Sequence, residues 1–109
     1  REIATLLERL AATGSEGSID LRSLPLSAAD RAWLMDRLGK GEVSISLDAG
    51  GASCIQETAV AGVWWVEHRN EADELTGEFI ELARVPALVP VHPEDLRAGL
   101  EQLRRVLDI

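Results

Sequence analysis

Hydrophobic residues in this chain are spaced first as in a helix, then mostly as in strands, and finally as in a helix again. The switches mark its elements. Ile3, Leu6, Leu7 and Leu10 fall at i, i+3, i+4 and i+7, one apolar stripe of a short helix that Gly14 is placed to end. After a flexible turn over residues 14–18, Ile19 and Leu21 alternate with Asp20 and Arg22 as a short strand. A second helix is signalled by Ser27 as N-cap, by Asp30 three residues later as its capping-box partner, and by Gly39 as terminator. Trp33, Leu34 and Leu38 are expected to form its buried face.

After Lys40-Gly41 the period becomes two. Val43, Ile45 and Leu47 alternate with Glu42, Ser44, Ser46 and Asp48, a strand with one face in the core, and Gly50-Gly51 turns it. Residues 53–59 and 63–68 read as a hairpin around Val60-Ala61-Gly62, and residues 78–85 as a further strand after a polar loop over 70–76. Pro86 and Pro90 end the sheet, and Pro93 opens a last helix lined by Leu96, Leu100, Leu103 and Leu107. Glu94 and Asp95 suit the N-terminal end of its dipole, Arg104 and Arg105 the far end. The sum is an α+β fold: a mostly antiparallel sheet of four to five strands with two or three amphipathic helices, mainly on one face.

One run strains this picture. In Val63-Trp64-Trp65-Val66 neighbouring side chains must point to opposite faces of the sheet, so each tryptophan needs its own cover. Two readings stand. Both rings are core, one under the helices and the other under a loop such as 70–77, or one of them faces outward as a binding anchor, a role in which tryptophan is enriched. Gln56 and Thr58 on the paired strand would give such a surface polar definition.

Composition narrows the partners. At 109 residues and 46% hydrophobic, the chain is expected to fold as a single domain over 1–109. Its start at Arg1 rather than methionine suggests a piece of a longer protein. A net charge of −8, with basic residues scattered, speaks against nucleic-acid binding. No run is apolar enough to span a bilayer, and one cysteine excludes an internal disulfide framework and suits a cytoplasmic setting.

Catalytic chemistry is thin. Cys54, within a predicted strand, is expected to be buried and inert rather than a nucleophile. Cys54 and His68 approach across the hairpin, with Glu57 or Glu67 to add a carboxylate, and form the weak candidate for a metal site. Glu71, Asp73, Glu74 and Glu78 surround a polar loop and read as solvated, while Gly50-Gly51 opens a strand, unlike a phosphate loop. His92, before Pro93, reads as a helix-start residue. No catalytic residue and no cofactor are expected.

Taken together, Gly41-Glu42-Val43-Ser44-Ile45, Cys54-Ile55-Gln56-Glu57-Thr58, Gly62-Val63-Trp64-Trp65-Val66 with Asn70, then Glu81 and Val85-Pro86 resemble a known family. It is the C-terminal conserved domain of HupH/HyaF-type hydrogenase expression proteins, and the resemblance runs from about Ile19 to about His92. The stretch after Asn70 is more acidic than the family pattern. The resemblance implies one domain of a longer accessory protein, chaperone-like rather than enzymatic, in maturation of nickel–iron hydrogenases. Its partner would be a hydrogenase subunit precursor or another maturation protein. Trp64 or Trp65 would be the anchor, and Glu57, Thr58 and Asn70 the orienting polar groups. A nickel or iron carrier, and a structural or dimerisation domain forming a homo-oligomer, are the alternatives.

Overall fold

The two hydrophobic spacings fold into separate layers. The computed structural model describes residues 2–48 and 50–109. Ala49, beside the predicted Gly50-Gly51 turn, and Arg1 lie outside them. Among the described residues, α1 (Glu2–Thr13), β1 (Gly17–Asp20), α2 (Ala28–Leu38), β2 (Ser44–Asp48), β3 (Ala52–Glu57), β4 (Val63–Arg69), β5 (Leu75–Leu82) and α3 (Pro93–Leu107) follow in order. The strands form one antiparallel sheet in the order β1-β5-β4-β3-β2. This is the expected α+β architecture, with the tryptophan strand at its centre.

Local chemistry sets the helix ends. The Ser27 hydroxyl accepts from the Asp30 amide at 3.0 Å and the Asp30 carboxylate accepts from the Ser27 amide at 3.1 Å, so the predicted capping box is complete. Gly39 ends α2 at φ 68°, a backbone state costly for any residue with a Cβ. His92 caps α3, its Nδ1 accepting from the Glu94 amide, and Pro93 follows at a position where no amide donor is needed.

Each sheet face has its own apolar cluster. On the first, Val63, Trp65, Ile80 and Leu82 pack with Ile19, Leu21 and Leu10, and half-buried Ile3, Leu6, Leu7, Leu34 and Leu38 bring in α1 and α2. On the second, Ile55, Trp64 and Val66 pack with Ile45, Leu47, Phe79 and Val89. Among the described residues no helix packs on this second cluster. Its cover is the strap over residues 83–89, held by the Ala83 amide on the Gly62 carbonyl (3.1 Å), by a turn from Pro86 to Val89, and by the Ala87 amide on the Glu81 carboxylate (2.8 Å).

Of the two or three helices expected on one face, α1 and α2 lie there; the last helix stays outside the core, with none of its residues buried and Leu96, Leu100, Leu103 and Leu107 between 49% and 61% exposed. Three expectations are corrected. Trp33 is 60% exposed, because at about 100° per residue it turns away from the side shared by Leu34 and Leu38, and the Arg37 guanidinium lies over its ring. Leu21 is buried in a 3-10 turn rather than a strand, since the Asp20 carboxylate accepts from the Arg22 amide and bends the chain. The last strand starts at Leu75, three residues before the predicted Glu78, which puts Glu78 inside the sheet.

Candidate protein-binding site

β4 divides its two tryptophans as strand geometry requires. Trp65, paired with Ile80, points toward α1 and α2; Trp64, paired with Glu81, points toward the strap. Both are buried, at 5% and 7% exposure, so neither stands free as an outward anchor, and the cover over Trp64 is the strap rather than the loop at 70–77.

Each indole N–H finds a partner. Trp64 donates to the Ala83 carbonyl at 2.9 Å, which ties the start of the strap to the sheet. Trp65 donates to Glu78 at 3.1 Å, and Glu78 also accepts two bonds from Arg31, through Nε and Nη2. The Glu78 side chain is 2% exposed, yet fully bonded. Burial alone would raise its pKa; the Arg31 hydrogen bonds, the Trp65 bond and the Arg31 charge outweigh that and hold it below the ordinary carboxylate range. The Glu78 bonds likewise raise Arg31 against its own desolvation. Glu67 lies 3.6 Å from both Arg31 and Arg69, extending the pair into a chain across β5, β4 and α2. Glu78 is therefore a structural carboxylate, not part of a solvated loop. Its alternation with Ile80 and Leu82 was the signal that places it on the helix face.

The polar residues of the neighbouring motif build a corner. Glu57 accepts from the Glu42 and Val43 amides at 3.0 and 3.3 Å, and its carbonyl accepts from Gly41 at 2.8 Å. A Cβ on Gly41 would meet the Glu57 carboxylate at 2.5 Å and the Thr58 carbonyl at 2.6 Å, so only glycine lets the strands approach. Thr58, 3% exposed, donates to the Val63 carbonyl (2.9 Å) and accepts from the Val60 amide (3.1 Å), closing the turn before the tryptophans. Gln56 adds bonds from Nε2 to the Gly41 and Val43 carbonyls at 3.3 Å.

Beside this corner the helix layer stops short. α1 and α2 do not cover β2 and β3, leaving a groove of about 280 Å³ lined by Met35, Ser44, Cys54, Gln56, Thr58 and Trp65, with Lys40 and Glu67 at its edges. The buried edge of Trp65 forms its apolar wall. Trp65 and Thr58 of the predicted set thus meet in the groove, Glu57 fixes its lip, and Trp64 lies beyond the sheet. Asn70 is remote, capping the β4–β5 turn with its side-chain oxygen on the Glu74 amide at 2.9 Å.

The metal-site candidates separate. Cys54 is exposed rather than buried, on the groove side, whereas His68 lies on the opposite face, where Nδ1 bonds Ser53 Oγ at 2.8 Å and the ring meets Phe79. Ser53, not Cys54, is the register partner of His68. Successive strand side chains alternate faces, so Cys54 and His68 cannot share one ion, and Glu57 is engaged with backbone amides. Among the described residues, no three His, Cys, Asp or Glu side chains gather as a metal site, and no helix is long and apolar enough to cross a membrane.

Comparison with known proteins bears on the whole arrangement. The chain is 35% identical over 90 residues to the hydrogenase expression/formation protein HoxQ of Azotobacter vinelandii, and 36% identical over 92 residues to the hydrogenase-1 operon protein HyaF of Escherichia coli K12. Each match covers 82% of this chain but 31% of the relative, so the chain spans about a third of their length. A solved structure, the hydrogenase expression protein HupH from Thiobacillus denitrificans, is 46% identical, covers 100% of this chain and 92% of its own, and superposes with a TM-score of 0.94. A 15-residue helix placed elsewhere would pull that score well down, so the outward position of α3 is shared. The family described as the C-terminal conserved region of the HupH hydrogenase expression protein matches residues 1–109, and the chain belongs to it.

Proposed function

We propose that this chain is a non-enzymatic accessory domain for the maturation of nickel–iron hydrogenase, working in the cytoplasm, and that it binds a hydrogenase subunit precursor through the groove beside α2. The groove walled by Trp65 carries this reading. At about 280 Å³ it is slightly below the roughly 300–1,000 Å³ typical of small-molecule pockets, and suits one or two side chains of a protein segment. Its wall is an aromatic edge and its floor offers hydroxyl, thiol and amide groups, the mixture that orients a peptide at an interface. In this reading Trp65 is the apolar contact and Thr58 a lining group. Glu57 holds the lip in register, while Trp64 and Asn70 keep β4 and its turn rigid beneath it.

The test uses groove residues whose replacement spares the core. Ser44→Arg/Cys54→Arg, at two exposed strand positions, is expected to leave the circular dichroism unchanged and weaken precursor binding at least about tenfold, a hot-spot-sized effect. Equal binding by wild type and variant eliminates the groove, and failure of the wild type to bind any precursor eliminates the function.

A further inference from the structure

The sheet ends in two edges that are finished differently. β1, on one side, is four residues long, and the Asp20 carboxylate that accepts from the Arg22 amide bends the chain away directly after it. So short and turned an edge is a poor template for another strand. β2, on the other side, keeps one register with β3 from Ser44 to Asp48 and, among the described residues, pairs with β3 alone. It holds no proline, bulge, lysine or arginine, the usual devices that close an edge to further pairing.

The direction of its backbone groups follows from the register. Antiparallel partners alternate between pairs that exchange hydrogen bonds and pairs that do not. The Thr58 amide bonds the Val63 carbonyl, so the even-numbered residues of β3 turn their amides and carbonyls to β4; the Glu57 amide bonds the Val43 carbonyl, so the odd-numbered ones turn theirs to β2. Ile45 and Leu47 are thus bonded to Ile55 and Ser53, while Ser44, Ser46 and Asp48 aim their amides and carbonyls off the sheet. All three are exposed.

The same strand is complementary to itself. With two copies of β2 antiparallel about a two-fold axis at Ser46, the outward groups meet in bonding register, Ser46 opposite Ser46 and Ser44 opposite Asp48 at either end, a ladder of roughly six hydrogen bonds. No carboxylate faces a carboxylate. On the strap face Ile45 meets Leu47 of the other copy; both are half-buried in the cluster around Ile55, Trp64 and Val66, so pairing joins two apolar clusters at their open ends. Registers centred two residues away fail. At Asp48 they oppose two carboxylates, and at Ser44 they bring in Glu42, whose amide is already held by the Glu57 carboxylate. This match of backbone, charge and apolar side chains favours a second copy over an unrelated extended segment.

We propose that β2 pairs with β2 of a second copy, antiparallel about Ser46, to make one sheet continuous through both. The ladder is short, so the contact falls in the small, reversible class below about 1,200 Å² and the dimer is expected to dissociate on dilution. Each copy carries a net charge of −8, so added salt should tighten it by screening. The edge is a different surface from the groove walled by Trp65, and Ser44 borders both.

Sedimentation velocity from micromolar to millimolar protein tests it. The wild type is expected to show an equilibrium of monomer and dimer, and Ser46→Pro to raise the dissociation constant at least about tenfold. The proline removes the central outward amide of each copy and leaves the bonds of Ile45 and Leu47 to β3, a placement that edge strands tolerate. Because residue 46 meets itself, Ser46→Lys and Ser46→Glu should each be monomeric and folded by circular dichroism, and their mixture should give a mixed dimer by native mass spectrometry. These two variants carry the test if Ser46→Pro unfolds. A wild type monomeric throughout, a dimer unchanged in folded Ser46→Pro, a dimer that weakens with added salt, or a mixture without the mixed dimer would each overturn the proposal. So would a monomeric wild type whose precursor binding is lost in Ser46→Pro, which assigns the edge to an extended segment of the precursor instead.

Discussion

The two faces of the sheet are sealed by different means. On one, two helices bring six leucines and isoleucines, counting Ile3, Leu6, Leu7, Leu10, Leu34 and Leu38, onto Trp65, and half-buried Arg31 links α2 to the buried Glu78 of β5. On the other, one irregular segment brings Val89 and buried Pro86, and hangs on hydrogen bonds from Trp64, Ala83 and Ala87. The same residue type, one position apart in sequence, is therefore locked on one side and latched on the other. Local stability follows cover: a layer of packed helices opens only with the fold, whereas a strap opens by itself.

The sharpest way to break the symmetry of Trp64 and Trp65 is to truncate each. Trp65→Ala is expected to cost about 3–5 kcal/mol, because its cavity lies between rigid layers and leaves Glu78 short of a donor; Trp64→Ala should cost about 1–2 kcal/mol less, as the strap can settle into the space. Urea midpoints for the two variants check this, and equal losses would refute the distinction.

Next in size is the pair of Arg31 and Glu78. Arg31→Met takes two hydrogen bonds and the neighbouring charge from Glu78; because Arg31 is 37% exposed, about 2 kcal/mol is expected rather than the full penalty of an orphaned interior charge. The pH response should also reverse. In the wild type Glu78 sits below its unfolded value, so it contributes stability above the ordinary carboxylate range and that contribution is lost as pH falls through the lower folded value. Without Arg31 burial prevails and the folded value rises above the unfolded one, so the variant is relatively more stable in mild acid and weaker as pH rises. Midpoints measured from pH 7 down to 4 distinguish the two slopes.

The smallest effect belongs to the latch. Glu81→Ala removes the acceptor for the Ala87 amide and should cost about 1 kcal/mol or less globally. Hydrogen exchange in the strap should nevertheless quicken while that of α1 and α2 stays unchanged. Uniform acceleration across both faces would mean that the strap opens only with the whole domain.

Much of this was legible in the order of side chains. Period-two alternation located β2, the turn at Val60-Ala61-Gly62 located β3 and β4 around it, Ser27 and Asp30 located the start of α2, and the adjacent tryptophans placed one ring on each face of the sheet. The strap was not legible, because proline-rich segments carry no period, and its hold comes from Glu81 and Trp64, distant in sequence. Glu78 is hidden for a related reason: beside Glu71, Asp73 and Glu74 it looks like one more loop carboxylate, and only the register of β5 with β4 brings Trp65 and Arg31 to it. Trp33 is hidden by its neighbours, since the angular spacing points it away from the side shared by Leu34 and Leu38. α3 was read correctly as amphipathic, but a stripe of leucines reveals that a helix needs a surface, not which molecule supplies it. The binding groove was half legible: Thr58 and Trp65 meet there, while Met35 and Ser44 came from elements whose juxtaposition only the fold creates.

The exposed ring of Trp33, beneath the Arg37 guanidinium, has an optical consequence. The three indoles occupy three dielectric settings: water, the strap interface and the helix interface. Trp33, already 60% exposed, is expected to change its emission little on unfolding, so the spectral red shift should report mainly Trp64 and Trp65. A neutral quencher such as acrylamide removes the Trp33 background first, leaving a signal whose residual decay components separate the latch from the lock without any added label.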